Sequence, residues 1–208
     1  NITSVVNALN YLNIDSDLVD KPSDLDSYDA IILPGVGAFS PAMASLRASG
    51  FYEKLQGIYL QNTKLIIGIC LGMQLMCRLS HEGGITQGFG WIDGDVLPIR
   101  TFSKYEKVPH MGWNNIDISR GCEWIPQDLQ GKDFYFVHSY CVKINDDRHI
   151  LAKTTHGTEF ASIVKNGCAI GFQFHPEKSQ GLGLKMLKEV LLYPGLKVYD
   201  PVKEGVYA

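Results

Sequence analysis

The sequence predicts an α/β fold, with a mostly parallel central sheet flanked by helices and a smaller antiparallel region. Short apolar runs alternate with helical patterns over residues 1–79, and this alternation is typical of a parallel sheet covered by helices. Residues 88–140 differ, because their strand-like runs are shorter and are separated by turns. With 208 residues, 45% of them hydrophobic, the chain is long enough to bury one sizeable core.

An amphipathic helix is predicted at the start of the chain, where Thr3 or Ser4 can cap it. Its apolar face is formed by Val5, Val6, Leu9 and Leu12. Doubly wound sheets usually begin with a strand, so we expect that the first strand of the fold is missing from this chain. The alternative is that residues 196–199 take its place. We therefore predict one domain over residues 1–193, without its first strand, and a tail of unknown role over residues 194–208.

Apolar runs bounded by turn residues predict the remaining strands. These runs cover residues 29–33, 64–69, 91–99, 114–118, 134–137 and 141–144. Residues 160–164 and 169–174 are predicted to form a hairpin, because the segment Lys165-Asn166-Gly167 contains a strong turn signal. Helical periodicity predicts the remaining helices. They cover residues 41–46, the segment up to residue 60, residues 71–79 and residues 182–192.

The composition disfavours several classes of function. A net charge of −3 and the lack of a basic stripe disfavour a nucleic-acid partner. No apolar segment approaches the ~20 residues that a membrane helix needs. The five cysteines form no C-x-x-C pair and show no zinc-type spacing with histidine. We therefore predict a reduced cytoplasmic protein that has no metal site and whose thiols are mostly buried and inert.

The segment Gly68-Ile69-Cys70-Leu71-Gly72 joins a predicted strand to a predicted helix. Small residues two positions to either side of a strained residue are typical of a nucleophile elbow, here with Cys in place of Ser. Such a turn would expose Cys70 at the end of its strand, and the helix N-terminus would favour the thiolate. The backbone N–H of Leu71 would then point at a developing oxyanion. The alternative is a buried cysteine whose neighbouring glycines serve helix–sheet packing.

A nucleophilic thiol needs a base, and the base needs a residue that orients it. The segment GFQFHPE, residues 171–177, offers both. His175 ends an apolar strand, and Glu177 follows two positions later, on the same side of an extended chain. Pro176 restricts the backbone between them. The alternative is a surface loop in which the two residues are neighbours by chance.

Two further features could complete a site around Cys70. The loop Pro34-Gly35-Val36-Gly37 follows a strand, and its glycines would let backbone N–H groups approach a ligand. It lacks the ending of a nucleotide-binding P-loop, and the alternative is an ordinary turn. Gln74 lies one helical turn after Cys70, where its amide could bind a polar substrate. We interpret the nearby Cys77 as a packing residue.

Together these residues resemble the class I, triad-type glutamine amidotransferases. The nucleophile motif of that family, G-x-C-x-G-x-Q, stands here as GICLGMQ, and its His-Pro-Glu motif stands as His175-Pro176-Glu177. Within the family, the chain resembles the glutaminase subunits of imidazole glycerol phosphate synthase. The stretches that carry this resemblance are ILPGVGAF, GICLGMQL, PHMGWN, YFVHSY and GFQFHPEKS, all within residues 1–192.

The resemblance implies a flavodoxin-like three-layer fold and a catalytic triad of Cys70, His175 and Glu177. Glutamine would be hydrolysed through a γ-glutamyl thioester on the cysteine, without a cofactor. The implied oxyanion hole consists of Val36, Gly37 and Leu71. The implied glutamine pocket is lined by Gly35, Gln74, His138, Ser139 and Tyr140.

The resemblance also implies a partner, a (β/α)₈ cyclase subunit that forms a heterodimer with this chain in histidine biosynthesis. The cyclase would use the ammonia to form imidazole glycerol phosphate and the carboxamide ribotide AICAR. Met111, Trp113 and Lys178 would lie toward this partner, and the alternative for Trp113 is a place in the core. The length of the chain independently favours a separate synthase, because no second large domain is present to hold a phosphorylated acceptor.

Three other functions stay open from the sequence. A paralogous subunit could feed ammonia to another synthase, such as one that forms a surface-sugar amidine, although PHMGWN favours the histidine pathway. A γ-glutamyl hydrolase is disfavoured by Gln74 and by HPEKS. A non-catalytic binding protein on the same scaffold would be expected to lose Cys70, His175 or Glu177, and all three are present.

Overall fold

The computed structural model describes residues 2–101, 107–119 and 122–196. Its helices are α1 (Ile2–Tyr11), α2 (Phe39–Ala48), α3 (Phe51–Gln61), α4 (Leu71–Leu75) and α5 (Gln180–Leu192). Its strands are β1 (Ala30–Gly35), β2 (Leu65–Cys70), β3 (Cys77–Ser80), β4 (Thr86–Gln87), β5 (Ile92–Pro98), β6 (His110–Asn115), β7 (Asp117–Ile118), β8 (Asp133–His138), β9 (Tyr140–Ile144), β10 (Ile150–His156), β11 (Thr158–Asn166) and β12 (Ala169–Phe172).

The central sheet has the strand order β1-β2-β12-β11-β10-β7 within the described residues. Strand β2 lies between β1 and β12 and runs parallel to both. From β12 outward to β7 the pairing is antiparallel, so the parallel part of the sheet surrounds β2. Two smaller sheets, β4-β3-β5-β9 and β6-β8, lie beside it. The α/β fold with a smaller second region is therefore confirmed. The central sheet is less parallel than predicted, because only two of the five pairings among the described residues are parallel.

Side chains of β2 alternate between two apolar clusters, because successive residues of a strand point to opposite faces. Leu65, Ile67 and Ile69 pack with residues of α1 and α5. Ile66 packs on the other face with residues of α2 and α3. The sheet is thus covered by helices on both faces, which is the three-layer arrangement that the resemblance implies.

The segment after Cys70 differs from its prediction. Helix α4 ends at Leu75, and residues 77–80 form strand β3 instead of continuing a helix to residue 79. Strand β3 pairs with β4 and β5, so tertiary hydrogen bonding overrides the local helical pattern. Cys77 is buried on this strand. It packs in the core as predicted, but from a strand.

Other differences concern the ends of elements. Helix α1 already begins at Ile2, so Thr3 and Ser4 lie in its first turn instead of capping it. The strand predicted over residues 114–118 is divided at the buried Ile116, which separates β6 from β7. Strands β4 and β10 were not predicted. The β11–β12 hairpin is confirmed, and the pairing of Asn166 with Ala169 places its two-residue turn just after Asn166.

Among the described residues, β1 is the edge strand of the central sheet. A cavity of about 1100 Å³ lies against it, lined mainly by apolar side chains of α1, β1 and α5 and by residues 14–19. The expected first strand, and with it the division into a domain and a tail, stays a prediction. In the alternative strand, Leu196 belongs to the 3₁₀ turn Pro194–Leu196, and residues 197–199 lie outside the described part of the chain.

The five cysteines are buried thiols that form no disulfide. Burial raises the pKa of Cys77 and Cys141, that of Cys141 to about 12, and raises the pKa of Cys122 and Cys168 as well, which disfavours the reactive thiolate form of these four residues. Within the described ranges, no group of three or more His, Cys, Asp or Glu side chains is placed to hold a metal ion. No helix in the same ranges has the length and apolar character to cross a membrane.

Candidate active site

Cys70 lies where β2 meets α4 and the chain turns sharply. Its backbone angles are φ 54° and ψ −106°, a strained conformation that costs about 1–3 kcal/mol in a residue with a side chain. Two glycines make room for the turn. A Cβ at Gly68 would lie 2.6 Å from the backbone of Gly72, and a Cβ at Gly72 would overlap the carbonyl oxygen of Leu33. The structure therefore has the elbow geometry that the sequence predicts.

Burial keeps the thiol of Cys70 protonated. The residue is 7% exposed, and burial raises its pKa to about 12, while a hydrogen bond from the backbone N–H of Leu71 lowers it. The charge of Glu177 raises the pKa further and that of Lys178 lowers it. The N–H at the start of α4 favours the thiolate as expected, but burial outweighs it. Helix α4 has five residues, so its dipole is too small to offset burial, and the thiol needs a base.

Besides the N–H of Leu71, two polar groups contact the sulfur of Cys70. The thiol donates to the carbonyl oxygen of Val137 at 3.8 Å, and Nε2 of Gln173 donates to the sulfur at 3.8 Å. Gln173 is fully buried, and its Oε1 accepts from Nε2 of Gln74 at 3.1 Å. That nitrogen also donates to the carbonyl oxygen of Tyr140 at 3.0 Å. The amide nitrogen of Gln74 is therefore committed within the protein, which leaves its carbonyl oxygen for a substrate.

Sequence reasoning missed Gln173. The signal was present in GFQFHPE, because Gln173 stands two residues before His175 and so shares its side of an extended chain.

His175 and Glu177 form a buried pair. Their side chains are 0% exposed, and Nδ1 of His175 lies 2.8 Å from Oε1 of Glu177. Because a carboxylate accepts, Nδ1 carries the proton and Nε2 is the nitrogen that can take one. The backbone N–H of His175 donates to Tyr135, and the Ser179 hydroxyl donates to the carbonyl of His175 at 2.7 Å. The pair is held from both sides, unlike a surface loop.

Neighbouring strands bring the predicted catalytic residues to one edge of the sheet. Strand β12 pairs with β2 through Phe172 and Ile69, so His175 and Cys70 both follow the carboxyl ends of adjacent parallel strands. On the other side, Gly35 of β1 pairs with Cys70. The loop that follows Gly35 therefore begins beside the nucleophile. In that loop Val36 is 62% exposed and Gly37 has φ +105°.

His138, Ser139 and Tyr140 form the connection between β8 and β9. His138 is buried, and both its ring nitrogens bond within the protein, Nδ1 with the carbonyl oxygen of Tyr140 at 2.8 Å and Nε2 with Nδ1 of His110 at 2.9 Å. No ring nitrogen of His138 is left for a substrate. The backbone carbonyl of Ser139 accepts from Ile99.

The residues predicted to face a partner lie on the surface or near it. Met111 is 62% exposed and Trp113 is 49% exposed, so the alternative of a core position for Trp113 is wrong. The indole of Trp113 contacts the ring of Tyr135 edge-on, at 6.0 Å between centroids. Lys178 is half-buried at the end of the 3₁₀ turn that contains Glu177.

Sequence comparisons relate the chain to known proteins over nearly its whole length. The family model described as glutamine amidotransferase class-I matches residues 1–192. The chain is 40% identical over 192 residues to imidazole glycerol phosphate synthase subunit HisH 1 of Campylobacter jejuni (strain RM1221), covering 92% of this chain and 94% of that protein. It is 40% identical over 201 residues to subunit HisH of Sulfurimonas denitrificans, covering 95% of both.

Solved structures share the fold at lower identity. A structure of PurLQS from Thermotoga maritima matches with a TM-score of 0.71, 18% identity and 92% coverage of each chain. A structure described as a glutamine amidotransferase matches with a TM-score of 0.68, 17% identity and coverage of 92% of this chain and 95% of the other. At these identities the matches support the fold alone.

Proposed function

The chain belongs to the class I glutamine amidotransferase family, alongside the HisH subunits, and from this premise we propose its reaction. It hydrolyses glutamine to glutamate and ammonia with Cys70 as the nucleophile, and it passes the ammonia to a cyclase subunit in the cytoplasm. The observation that carries this proposal is the strained, glycine-enclosed Cys70 next to the strand that leads into the buried His175–Glu177 pair.

The first half-reaction begins when the Cys70 proton moves to Nε2 of His175. The hydrogen bond of Nδ1 to Glu177 fixes the ring tautomer that this step needs, and it stabilises the imidazolium that forms. The sulfur attacks the carboxamide carbon of glutamine, and the S–C bond forms. His175 then gives the proton to the leaving nitrogen, the C–N bond breaks, and ammonia departs from the γ-glutamyl thioester.

The second half-reaction returns the thiol. Water attacks the thioester while His175 accepts one of its protons, glutamate leaves, and the sulfur regains that proton. In both steps the charge on the acyl oxygen is held by an oxyanion hole of Val36, Gly37 and Leu71. Two observations support this assignment: the N–H of Leu71 already bonds the sulfur, and the Val36–Gly37 loop follows the residue that pairs with Cys70.

Glutamine binds, in this proposal, between Gly35 and the connection of β8 to β9. Gln74 offers its carbonyl oxygen, since its amide nitrogen is already bonded. From the connection, Ser139 and Tyr140 are the side chains that we propose for substrate contact. His138 shapes this wall through internal hydrogen bonds.

The partner that we propose is a (β/α)₈ cyclase that makes imidazole glycerol phosphate and AICAR. The two HisH relatives support it, because each is named as a subunit of imidazole glycerol phosphate synthase. Ammonia released to water is protonated and loses its nucleophilicity, whereas direct passage keeps it neutral and raises its effective concentration at the acceptor. The exposed Met111 and Trp113 suit the interface, since aromatic residues commonly dominate binding energy. Lys178 lies near the nucleophile, where it could face the channel.

The experiment is to incubate glutamine that carries ¹⁵N at its amide with this chain, the cyclase subunit and its nucleotide acceptor. We expect the label in the imidazole product. Glutamate formation without label in the product would show a glutaminase that serves a different synthase, such as the paralogous one.

The matched variants are Cys70→Ala and Cys77→Ala, since both residues are buried thiols close together in the sequence. Cys70→Ala should abolish the use of glutamine while added ammonia still supports the cyclase, and Cys77→Ala should keep glutaminase activity. Glutaminase activity in Cys70→Ala would refute the nucleophile assignment and favour a binding protein on the same scaffold.

A further inference from the structure

Strand β6 has two faces with different surroundings. Met111 and Trp113 lie on the outer face of the strand and are exposed. On the opposite face His110 is 4% exposed and Asn114 is half-buried. Strand β6 pairs with β8 alone in a small sheet of the described residues, in the register His110 to His138 and Met111 to Val137. The carbonyl of Val137 accepts from the Cys70 thiol. The exposed face of β6 is therefore one strand away from the nucleophile.

The hydrogen bonds of the two buried histidines have a fixed direction. The carbonyl oxygen of Tyr140 can only accept, so Nδ1 of His138 carries a proton and its Nε2 accepts in the neutral ring. Nδ1 of His110 must then donate to that nitrogen at 2.9 Å. Nε2 of His110 is left to accept from Nδ2 of Asn114 at 3.1 Å. Asn114 is held in this orientation, because Nδ2 also donates to the carbonyl of Thr155 and Oδ1 accepts from Asn115.

Both rings are neutral in this arrangement. Burial lowers the pKa of His110 to about 4 and that of His138 to about 3. A second proton on either ring would place two donors face to face, at Asn114 or between the rings. The pair therefore has one stable distribution of protons. Its hydrogen bonds have a fixed donor and acceptor order although neither ring is charged.

The same bonds continue from His138 to the sulfur. The carbonyl oxygen of Tyr140 accepts from both His138 and Gln74, Gln74 donates to Gln173, and Gln173 donates to Cys70. We call this series the hydrogen-bond path. It consists of Asn114, His110, His138, the Tyr140 carbonyl, Gln74, Gln173 and the sulfur of Cys70. A buried polar group that loses its partner is destabilising, so a displacement of one member favours a displacement of the next.

We propose that His110 is a positioning residue through which a protein docked on the outer face of β6 changes the geometry around the sulfur of Cys70. The identity of the docked protein, a cyclase subunit, rests on the proposed function. A shift of β6 moves His110 and Asn114 with Met111 and Trp113, because all four share one backbone. The shift reaches Gln173 along the hydrogen-bond path and reaches Val137 through the β6–β8 pairing. Variants of His110 test this coupling.

The first test uses the chain by itself. The rate at which a glutamine-analogue electrophile alkylates Cys70 is measured from pH 6 to 10 for wild type, His110→Leu and His110→Asn. His110→Leu removes the donor to His138, whereas the amide of His110→Asn can replace Nδ1. We expect alkylation to slow about tenfold in His110→Leu, because the Gln173 donor that favours the thiolate loses its alignment, and to recover to within about threefold in His110→Asn.

The control variant is His149→Leu, a half-buried histidine outside the hydrogen-bond path, which should alkylate like wild type. Thermal unfolding shows which variants are folded. Should His110→Leu fail to fold, Asn114→Ala interrupts the path at its outer end and is expected to slow alkylation in the same direction. A folded His110→Leu or Asn114→Ala that alkylates at the wild-type rate overturns the proposal.

The second test adds the cyclase subunit with its nucleotide ligand. At saturating cyclase, His110→Leu should lose at least about tenfold of the stimulation of glutaminase activity while its Kd for the cyclase stays within about threefold of wild type. Trp113→Ala should weaken the Kd and keep full stimulation at saturation. Equal stimulation of wild type and His110→Leu would contradict the proposed role of His110 and leave the proposed partner intact. A wild-type chain that binds the cyclase without being stimulated contradicts both the transmission and the proposed partner.

Discussion

The two sides of strand β1 have different surroundings. On its inner side β1 pairs with β2 along six residues, and β2 is paired again by β12. On its outer side β1 faces a cavity of about 1100 Å³. The inner side pairs with the strand that ends at the strained Cys70, whereas the outer side is a sheet edge within the part of the chain that the structure describes.

The difference shows what a strained nucleophile requires. A conformation such as that of Cys70 persists only where the surroundings over-determine it. Strands on both sides fix the end of β2, and the close approach of Gly68, Gly72 and Leu33 leaves no room for another path of the chain. At the outer edge of β1 the packing is open, and a strained residue there would relax. The catalytic edge therefore depends on complete pairing of β2.

The largest expected effect is at Gly72, where a Cβ would overlap the carbonyl oxygen of Leu33. Because backbone would have to move to remove this overlap, Gly72→Ala should lower the free energy of unfolding by at least about 3 kcal/mol. The control is Gly57→Ala, in the interior of α3, where a Cβ meets nothing within 4 Å. That change should stabilise by about 0.5–1 kcal/mol, since glycine is a poor helix former. Urea unfolding measures both.

A Gly72→Ala protein as stable as Gly57→Ala would show that the elbow can relax in solution. In that case the tight packing around Cys70 does not hold the turn rigid, and the contrast with the outer side of β1 is wrong.

The next effect compares Ile67 with Ile32, which are paired across β2 and β1. Ile67 is fully buried, whereas Ile32 lines the cavity. Ile67→Ala should lower the free energy of unfolding by about 2–5 kcal/mol. Ile32→Ala should cost only about 1 kcal/mol, because a side chain on a cavity wall has few contacts to lose on that side. The measurement is again urea unfolding, with the two variants read at the same pH.

Equal losses in the two isoleucine variants would mean that the outer edge of β1 is covered in solution. A further strand that pairs there would produce that result. The pair of variants thus distinguishes an open edge from a covered one without assuming what covers it.

The sequence predicted the catalytic edge better than the outer edge, and the reason is physical. Both motifs around Cys70 and His175 are local, since glycine spacing predicts the elbow and a two-residue spacing places Glu177 beside His175. Parallel pairing of apolar strands then brings the motifs together. These features need only neighbours in the sequence and a fold class.

Other features depend on distant parts of the chain. Residues 77–80 look helical by pattern, but they form β3 because β4 and β5 offer hydrogen bonds. The burial that raises the pKa of Cys70 could not be predicted, because the depth of burial is a tertiary property. The direction of the hydrogen bonds at His110 follows from the Tyr140 carbonyl on β9, which acts through His138, and from the Thr155 carbonyl on β10, which acts through Asn114. Periodicity carries none of this information.

The last expected effect is the response of stability to acid, which should also differ between the two regions. Burial lowers the pKa of His110 and His138 to about 4 and about 3, and the charges of His156 and, for His138, of His175 act in the same direction. In the unfolded chain these histidines bind protons below about pH 6.5. Their contribution to the free energy of unfolding should therefore be fully present above that pH. It should fall between about pH 6.5 and 4, by at most about 1.4 kcal/mol per pH unit for each histidine.

Near the outer edge of β1 acid also lowers the free energy of unfolding, but it does so at lower pH. Lys54 holds the pKa of Asp26, which lines the cavity, below its ordinary value of 3.8, so its contribution is lost only in more acidic solution. Urea unfolding of wild type and His110→Asn at a series of pH values separates the two. Between about pH 6 and 5 the slope should fall by about half in His110→Asn, since one of the two neutral histidines is gone. An unchanged slope would place the acid response outside the His110–His138 pair, and the catalytic edge would then be no more acid-sensitive than the open one.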